Sequence, residues 1–396
     1  MDTIGARIRA WRRRRGGMSQ KALADLAGIS QGYLSQIESG KRPLDRKSTQ
    51  VAIAAALNIS VSQLLGQPSE DRDPVLTRAT ACVPAIRSTL VELSVGERRK
   101  PRRDRLVLRK QLREAMDLRN AGELAGLAPS LPDLLYDLAG QGKAMTPELV
   151  EALFCTQVVL KNMARRDLSR EAAYIAMRVA EQYDSPVSLG QAQFSLALSF
   201  PPENAELGAK VAERASNELQ GVGQRDAQEL YVGLHLMSAL HAATALKADD
   251  AAAHLDEADD VARSLGEPQP YGAMSAGVSG NWFGPTNVNY WRVSVAAELG
   301  DTGTALAVAD RVDLSAVPVP MRLVYYWTDM ARALAAGSRD REAMQALAKA
   351  ERAAPQHFRF NPMARELVMT LINRAKRRAV GEDMMALARR LGLNPV

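Results

Sequence analysis

The chain has 396 residues, 46% of them hydrophobic, and its net charge of +6 is uneven: residues 1–66 carry eleven basic and four acidic side chains, residues 97–113 nine and two, and residues 114–396 a net of −7. That length allows two or three domains with real cores, while the lack of an apolar leader or of any run near the ~20 residues of a membrane span predicts a soluble, cytoplasmic protein with no membrane partner. Two distant cysteines without a CxxC pair or clustered histidines argue against a disulfide or zinc framework, and no metal or other cofactor is expected.

Five short helices are predicted first, over residues 3–15, 19–27, 31–39, 46–57 and 61–65. The second and third are broken at Gly28, which permits the positive φ of a tight turn, and each starts behind a serine, Ser19 and Ser30, suited to cap it. Ala24 is small where the two helices approach, and Leu23, Ala27, Ile29, Leu34 and Ile37 close the space between them. This is a helix-turn-helix pattern, and it leaves the start of its second helix as the end that enters a major groove.

At that end Gln31 is placed to give adenine N6 and N7 the paired hydrogen bonds of an amide. Ser35 and Gln36 lie beside it for neighbouring base edges, Tyr33 for a thymine methyl or a phosphate, and the cap Ser30 is counted in the same DNA-binding set. Gln20 is expected to fix the DNA backbone, and Lys41 and Arg42 to contact phosphates. Polar residues on an isolated helix read as ordinary solvated surface; here turn glycine, caps, interior and basic balance agree. Of the run Arg12 to Arg15, about two side chains are expected to face phosphate, since consecutive residues point all around a helix.

The stretch from Gln20 through Ile37, with Gly40 and the basic loop after it, resembles the phage-repressor-type (Cro-like, XRE) helix-turn-helix family. The likeness covers about one sixth of the chain. It implies a homodimer on a palindromic double-stranded DNA operator, with half-sites about one helical turn, or ~34 Å, apart.

The polar, proline-bearing residues 66–74 end this unit, and we divide the chain into a DNA-binding domain (1–66), a linker with a basic connector helix (67–113) and a helical body (114–396). The body lacks β-alternation. Near its end Trp327, Met330, Ala331, Leu334, Ala343, Leu347, Ala350 and Pro355 fall at the offsets of a 34-residue helix-turn-helix unit that resembles a tetratricopeptide repeat. Ala239, Ala251, Leu255 and Ala258 repeat those offsets, Gly300 to Ala305 resembles another turn, and residues 148–184 and 186–219 divide into helix pairs, for five or six units in all. A long loop is expected over residues 265–285. The fold class is therefore all-α, a five-helix repressor-type head followed by a tetratricopeptide-like solenoid.

Head, repeats and the run Phe283 to Val288 together resemble actinobacterial regulators and the peptide-responsive regulators of Gram-positive bacteria, which implies a sensor role for the body. In such a solenoid the first helix of each pair lines the concave face. That places Asn287, Tyr290 and Ser294 on one inner stripe and Tyr325, Thr328 and Arg332 on the next. Asn287 leads this set, because an amide pairs with both a peptide carbonyl and a peptide N–H. Arg292 is expected to hold a ligand carboxylate, and Tyr271, Trp282 and Phe283 to line or cover an apolar pocket.

The four histidines show no metal pattern, and nucleophile-elbow, P-loop and dinucleotide motifs are missing, so the chain is not expected to be an enzyme. The expected function is a DNA-binding transcription regulator whose repeats respond to a peptide or small molecule. The alternative is a DNA-tethered scaffold whose repeats hold a partner protein constitutively.

Overall fold

The computed structural model describes residues 3–15, 17–59, 61–65, 74–267, 283–316, 319–376 and 387, and every regular element among them is helical. The head comprises α1 (Ile4–Arg14), α2 (Gln20–Leu26), α3 (Gln31–Glu38), α4 (Lys47–Ala56) and α5 (Val61–Leu65). Each forms where the sequence places it. The Ser19 hydroxyl accepts from the Ala22 N–H and the Ser30 hydroxyl from the Tyr33 N–H, both at 3.1 Å, and Gly28 adopts φ +64° between them. Ile8, Leu23, Ala24, Leu34, Ile53, Leu57 and Leu64 share one core without solvent exposure.

The body starts with α6 (Pro74–Thr80), α7 (Val83–Ser94), α8 (Arg105–Ala121), α9 (Leu124–Leu127) and α10 (Leu131–Gly140). The expected boundary at 113 falls inside α8. Ile86, Leu90 and Leu93 of α7 and Leu108, Leu112 and Met116 of α8 recur at helical period, and both stripes are buried in one core with the helices that follow. The basic stretch stays mostly exposed, but three of its arginines are paired. Arg99 pairs with Glu92 and stacks over Tyr136, Arg103 pairs with Asp137 at 2.5 Å, and Arg109 with Glu148 at 2.8 Å.

Antiparallel pairs then follow: α11 (Thr146–Asn162) with α12 (Arg166–Ala180), α13 (Pro186–Ser199) with α14 (Ala205–Leu219), and α15 (Arg225–Thr244) with α16 (Ala248–Leu265). Two more are α17 (Pro285–Leu299) with α18 (Thr302–Ala309), and α19 (Pro320–Ala336) with α20 (Asp340–Ala353). Small residues let each pair close: Ala239, Ala251 and Ala258 join α15 to α16, and Ala331, Ala343 and Ala350 join α19 to α20, all fully buried. Pro355 opens the next helix, α21 (Pro355–Phe360), and α22 (Pro362–Lys376) follows it; Leu387 is buried in the same core.

The stack returns to its own beginning. Helix α19 packs on α8 and α21 on α9. Gln356 accepts from the Ala125 N–H at 3.1 Å and donates to Glu123, while Phe360 enters the core of α7–α12. The head lies on one rim of this ring, where α11, α15, α17 and α19 reach their carboxyl-terminal ends. The Lys47 N–H donates to Glu298 at 2.5 Å, Arg332 to the Asp45 carbonyl at 2.8 Å, and Arg374 to the Lys41 carbonyl at 2.5 Å. Helix α4 rests on the turn Pro202–Asn204. Among the described residues no helix is long and apolar enough to cross a membrane.

Candidate nucleic-acid interface and repeat-domain site

Helix α3 carries two unlike faces. Leu34, Ile37 and Glu38 turn inward, while Gln31, Gly32 and Gln36 are exposed and Ser35 is half-buried. The amides of Lys41 and Arg42 both donate to the Gln36 carbonyl, which folds the basic loop back beside the end of α3. Lys41 is exposed. The Arg42 guanidinium lies over the Tyr33 ring, 4.6 Å from its centre. Burial pushes the Tyr33 phenol up, Asp45 adds to this, and its hydroxyl is engaged with Thr49. Gln31, Gln36 and Lys41 are exposed and Arg42 is half-buried beside them; the rim reaches this stretch through Arg374, which bonds the Lys41 carbonyl.

Gln20 opens α2. Its amide donates to Glu38 at 2.9 Å, and Arg12 grips the same carboxylate through two bonds at 2.8 and 3.0 Å. Glu38 is 4% exposed and needs those donors, so Gln20, itself half-buried, ties α2 to α3. Burial alone raises the Glu38 pKa, but the bonds from Arg12 and Gln20 and the charges of Arg12 and Arg9 outweigh it and hold the carboxyl below its ordinary range. Within the arginine run, Arg12 is thus an internal ion-pair partner, Arg14 lies over Trp11 and Arg15 bonds the Asn58 carbonyl.

The residues predicted for a ligand groove divide. Ser294 donates to Asp329 at 2.5 Å, and Asp329 in turn accepts from Arg332 at 2.8 Å. Arg332 also reaches Glu298 at 3.1 Å. Burial pulls the Arg332 pKa down, but Asp329, Glu298 and Asp45 outweigh it and leave it raised. Asn287 is 2% exposed and its Nδ2 finds no partner. Tyr325 is half-buried at the inner end of α19.

Others in that set serve packing. Tyr290 stacks on Tyr326, centroids 4.8 Å apart, inside the α17–α19 core, and Thr328 bonds its own helix at Val324. Phe283 is not a lid. It is 1% exposed, edge-on to Phe194, because the glycine at 233 leaves room for its ring. Arg292 pairs with Asp256 and Asp259 of α16, both at 3.1 Å, so its charge is already met by two carboxylates. Tyr271 and Trp282 lie outside the described residues.

Sequence reasoning passed over Asp45, Lys47, Lys161, Glu298 and Asp329, although charged residues such as Glu298, set in the apolar run of α17, were a visible signal. Burial drives the Asp45 pKa up and the Lys47 pKa down, with Arg332 and Glu298 respectively opposing each shift.

A family model described as a helix-turn-helix domain matches residues 3–65. Comparison with curated proteins and with solved structures gave no match. The first five helices are a helix-turn-helix domain, which marks the chain as a DNA-binding regulator, and a repeat-like stack of helices follows it.

Proposed function

We propose that this protein is a sequence-specific transcription regulator, not an enzyme, that binds a palindromic operator as a homodimer and is controlled by a peptide or small molecule held in its tetratricopeptide-like body. The observation that carries the reading is the outer face of α3: Gln31 and Gln36 exposed, beside Lys41 and Arg42, on a serine-capped helix whose inner face is locked into a core. An amide at Gln31 supplies base-edge specificity, and the basic loop supplies register on phosphates. Sensor control is supported by the head's resting on the repeats, since a ligand that favours one head position shifts DNA affinity by that preference.

Selection of randomised duplexes with the full chain tests this. The expected product holds two symmetric half-sites, and Gln31→Ala loses about 1–3 kcal/mol at one base position with little change on unrelated DNA. Recovery of no preferred sequence overturns the proposal, and equal losses on all sequences remove the reading role of Gln31.

A further inference from the structure

His357 has no solvent exposure, and neither of its ring nitrogens finds a partner. A buried imidazole left unbonded at both nitrogens costs free energy that native structures seldom leave unrecovered. Its ring meets Tyr325 edge-on, centroids 4.9 Å apart, and Tyr325 faces Asn162. Asp329 acts on Tyr325 too, but that carboxylate is already held by Ser294 and Arg332.

Lys161, in the last turn of α11 and half-buried, acts on His357 through its charge, and the next residue, Asn162, is bonded to Tyr325. The charged groups that act on Lys161 are Lys47 of the head and Arg166 of α12, both positive. Burial first and then these two cations bring its pKa down to about 7. The carboxyl-terminal dipole of α11 favours a cation there, but that is a fraction of a charge against two whole ones. The His357 ring of α21 thus touches Tyr325 of α19 and lies within the field of Lys161 of α11, and among the described residues neither nitrogen of His357 is bonded and no carboxylate pairs with Lys161.

We propose that Lys161, His357 and Tyr325 bind an oxyanion, the carboxylate or phosphate of a small-molecule ligand, at the rim beneath Lys47 of the head. The anion accepts from the Lys161 ammonium, from one N–H of His357 and from the Tyr325 hydroxyl. It attracts Lys47 as it attracts Lys161, so occupancy binds the head more firmly to the ring. The site deepens the sensor reading above and rests on it only for the effect on DNA.

The test follows thermal unfolding of the full chain in inorganic phosphate, in succinate and in sodium chloride of equal ionic strength. At least one oxyanion is expected to raise the midpoint saturably above chloride and to move the His357 ring nitrogen resonances over the same range. A phosphate-only response identifies a phosphoryl ligand and a succinate-only response a carboxylate. Lys161→Met is expected to lose the response without a lower midpoint in chloride, and Lys161→Arg to keep it. Equal midpoints of the unaltered protein in all three salts overturn the site and leave water as the partner of His357; a response that survives in Lys161→Met overturns it as well. Operator affinity, read in the same samples, separates the two claims: an intact anion response with unchanged DNA binding ends the sensor reading and leaves the site, whereas loss of the anion response leaves DNA recognition standing.

Discussion

Glu38 shows what one side chain does for the head. It takes donors from α1 and α2 while belonging to α3, so its charge holds three helices in one arrangement. Replacing it with alanine strands the Arg12 guanidinium, and we expect a loss of about 3 kcal/mol in urea unfolding. Its depressed pKa also fixes the sign of an acid effect. A carboxylate held below its ordinary range adds stability that is complete above the unfolded value and lost as pH falls through the folded one. Glu38→Gln should therefore flatten the head's stability profile below about pH 4.3. None of this was legible in the sequence, where Glu38 reads as one more polar residue before Gly40; a carboxylate's partners depend on tertiary approach, not on spacing.

At the scale of elements, the segment from Gly40 to Lys47 belongs to the head by sequence and to the ring by contact. Asn373 lies against Gly40, and Gly300, left-handed at φ +80°, leaves room for the Arg46 guanidinium, which a Cβ would meet at 1.8 Å. Arg332 is the centre of this contact, with Asp45, Glu298 and Asp329 around it. Arg332→Met leaves Glu298, which has no exposure, without its cation. Amide exchange is expected to rise across residues 40–50, above all at Lys47, whose N–H is bonded to Glu298, and to stay unchanged across α2 and α3. Equal exchange in both proteins would show that the head does not depend on this contact. The helix pairs were legible, because alanine spacing reports how closely two helices pass. The docking was not, because residues such as Asp45 and Arg332 meet across most of the chain and leave no periodic trace.

For the whole molecule, burial of histidine sets the response to acid. Burial drives His235 and His241 down to about 4, with a neighbouring charge adding to it at His235. His357 falls to about 3, by burial first and Lys161 second. All three are neutral when folded and protonate on unfolding, so the unfolded chain binds more protons between about pH 6.5 and 4, and stability falls as pH is lowered through that window. Glu366 runs the other way. Burial lifts its carboxyl to about 7, which offsets about one of the three histidines. The unfolding midpoint of the full chain is therefore expected to drop steadily below pH 6.5, and a flat profile down to pH 4 would contradict the buried neutral state.

The contact of α19 and α21 with α8 and α9 bears on how such a protein can evolve and come apart. An open solenoid gains or sheds a hairpin at either tip and frays from its tips inward. Here Gln356 is fastened to Glu123 and Ala125, so a hairpin inserted between them would prise that clasp open. Hairpin number is thereby frozen, and losing any single pair costs its neighbours and the closure together.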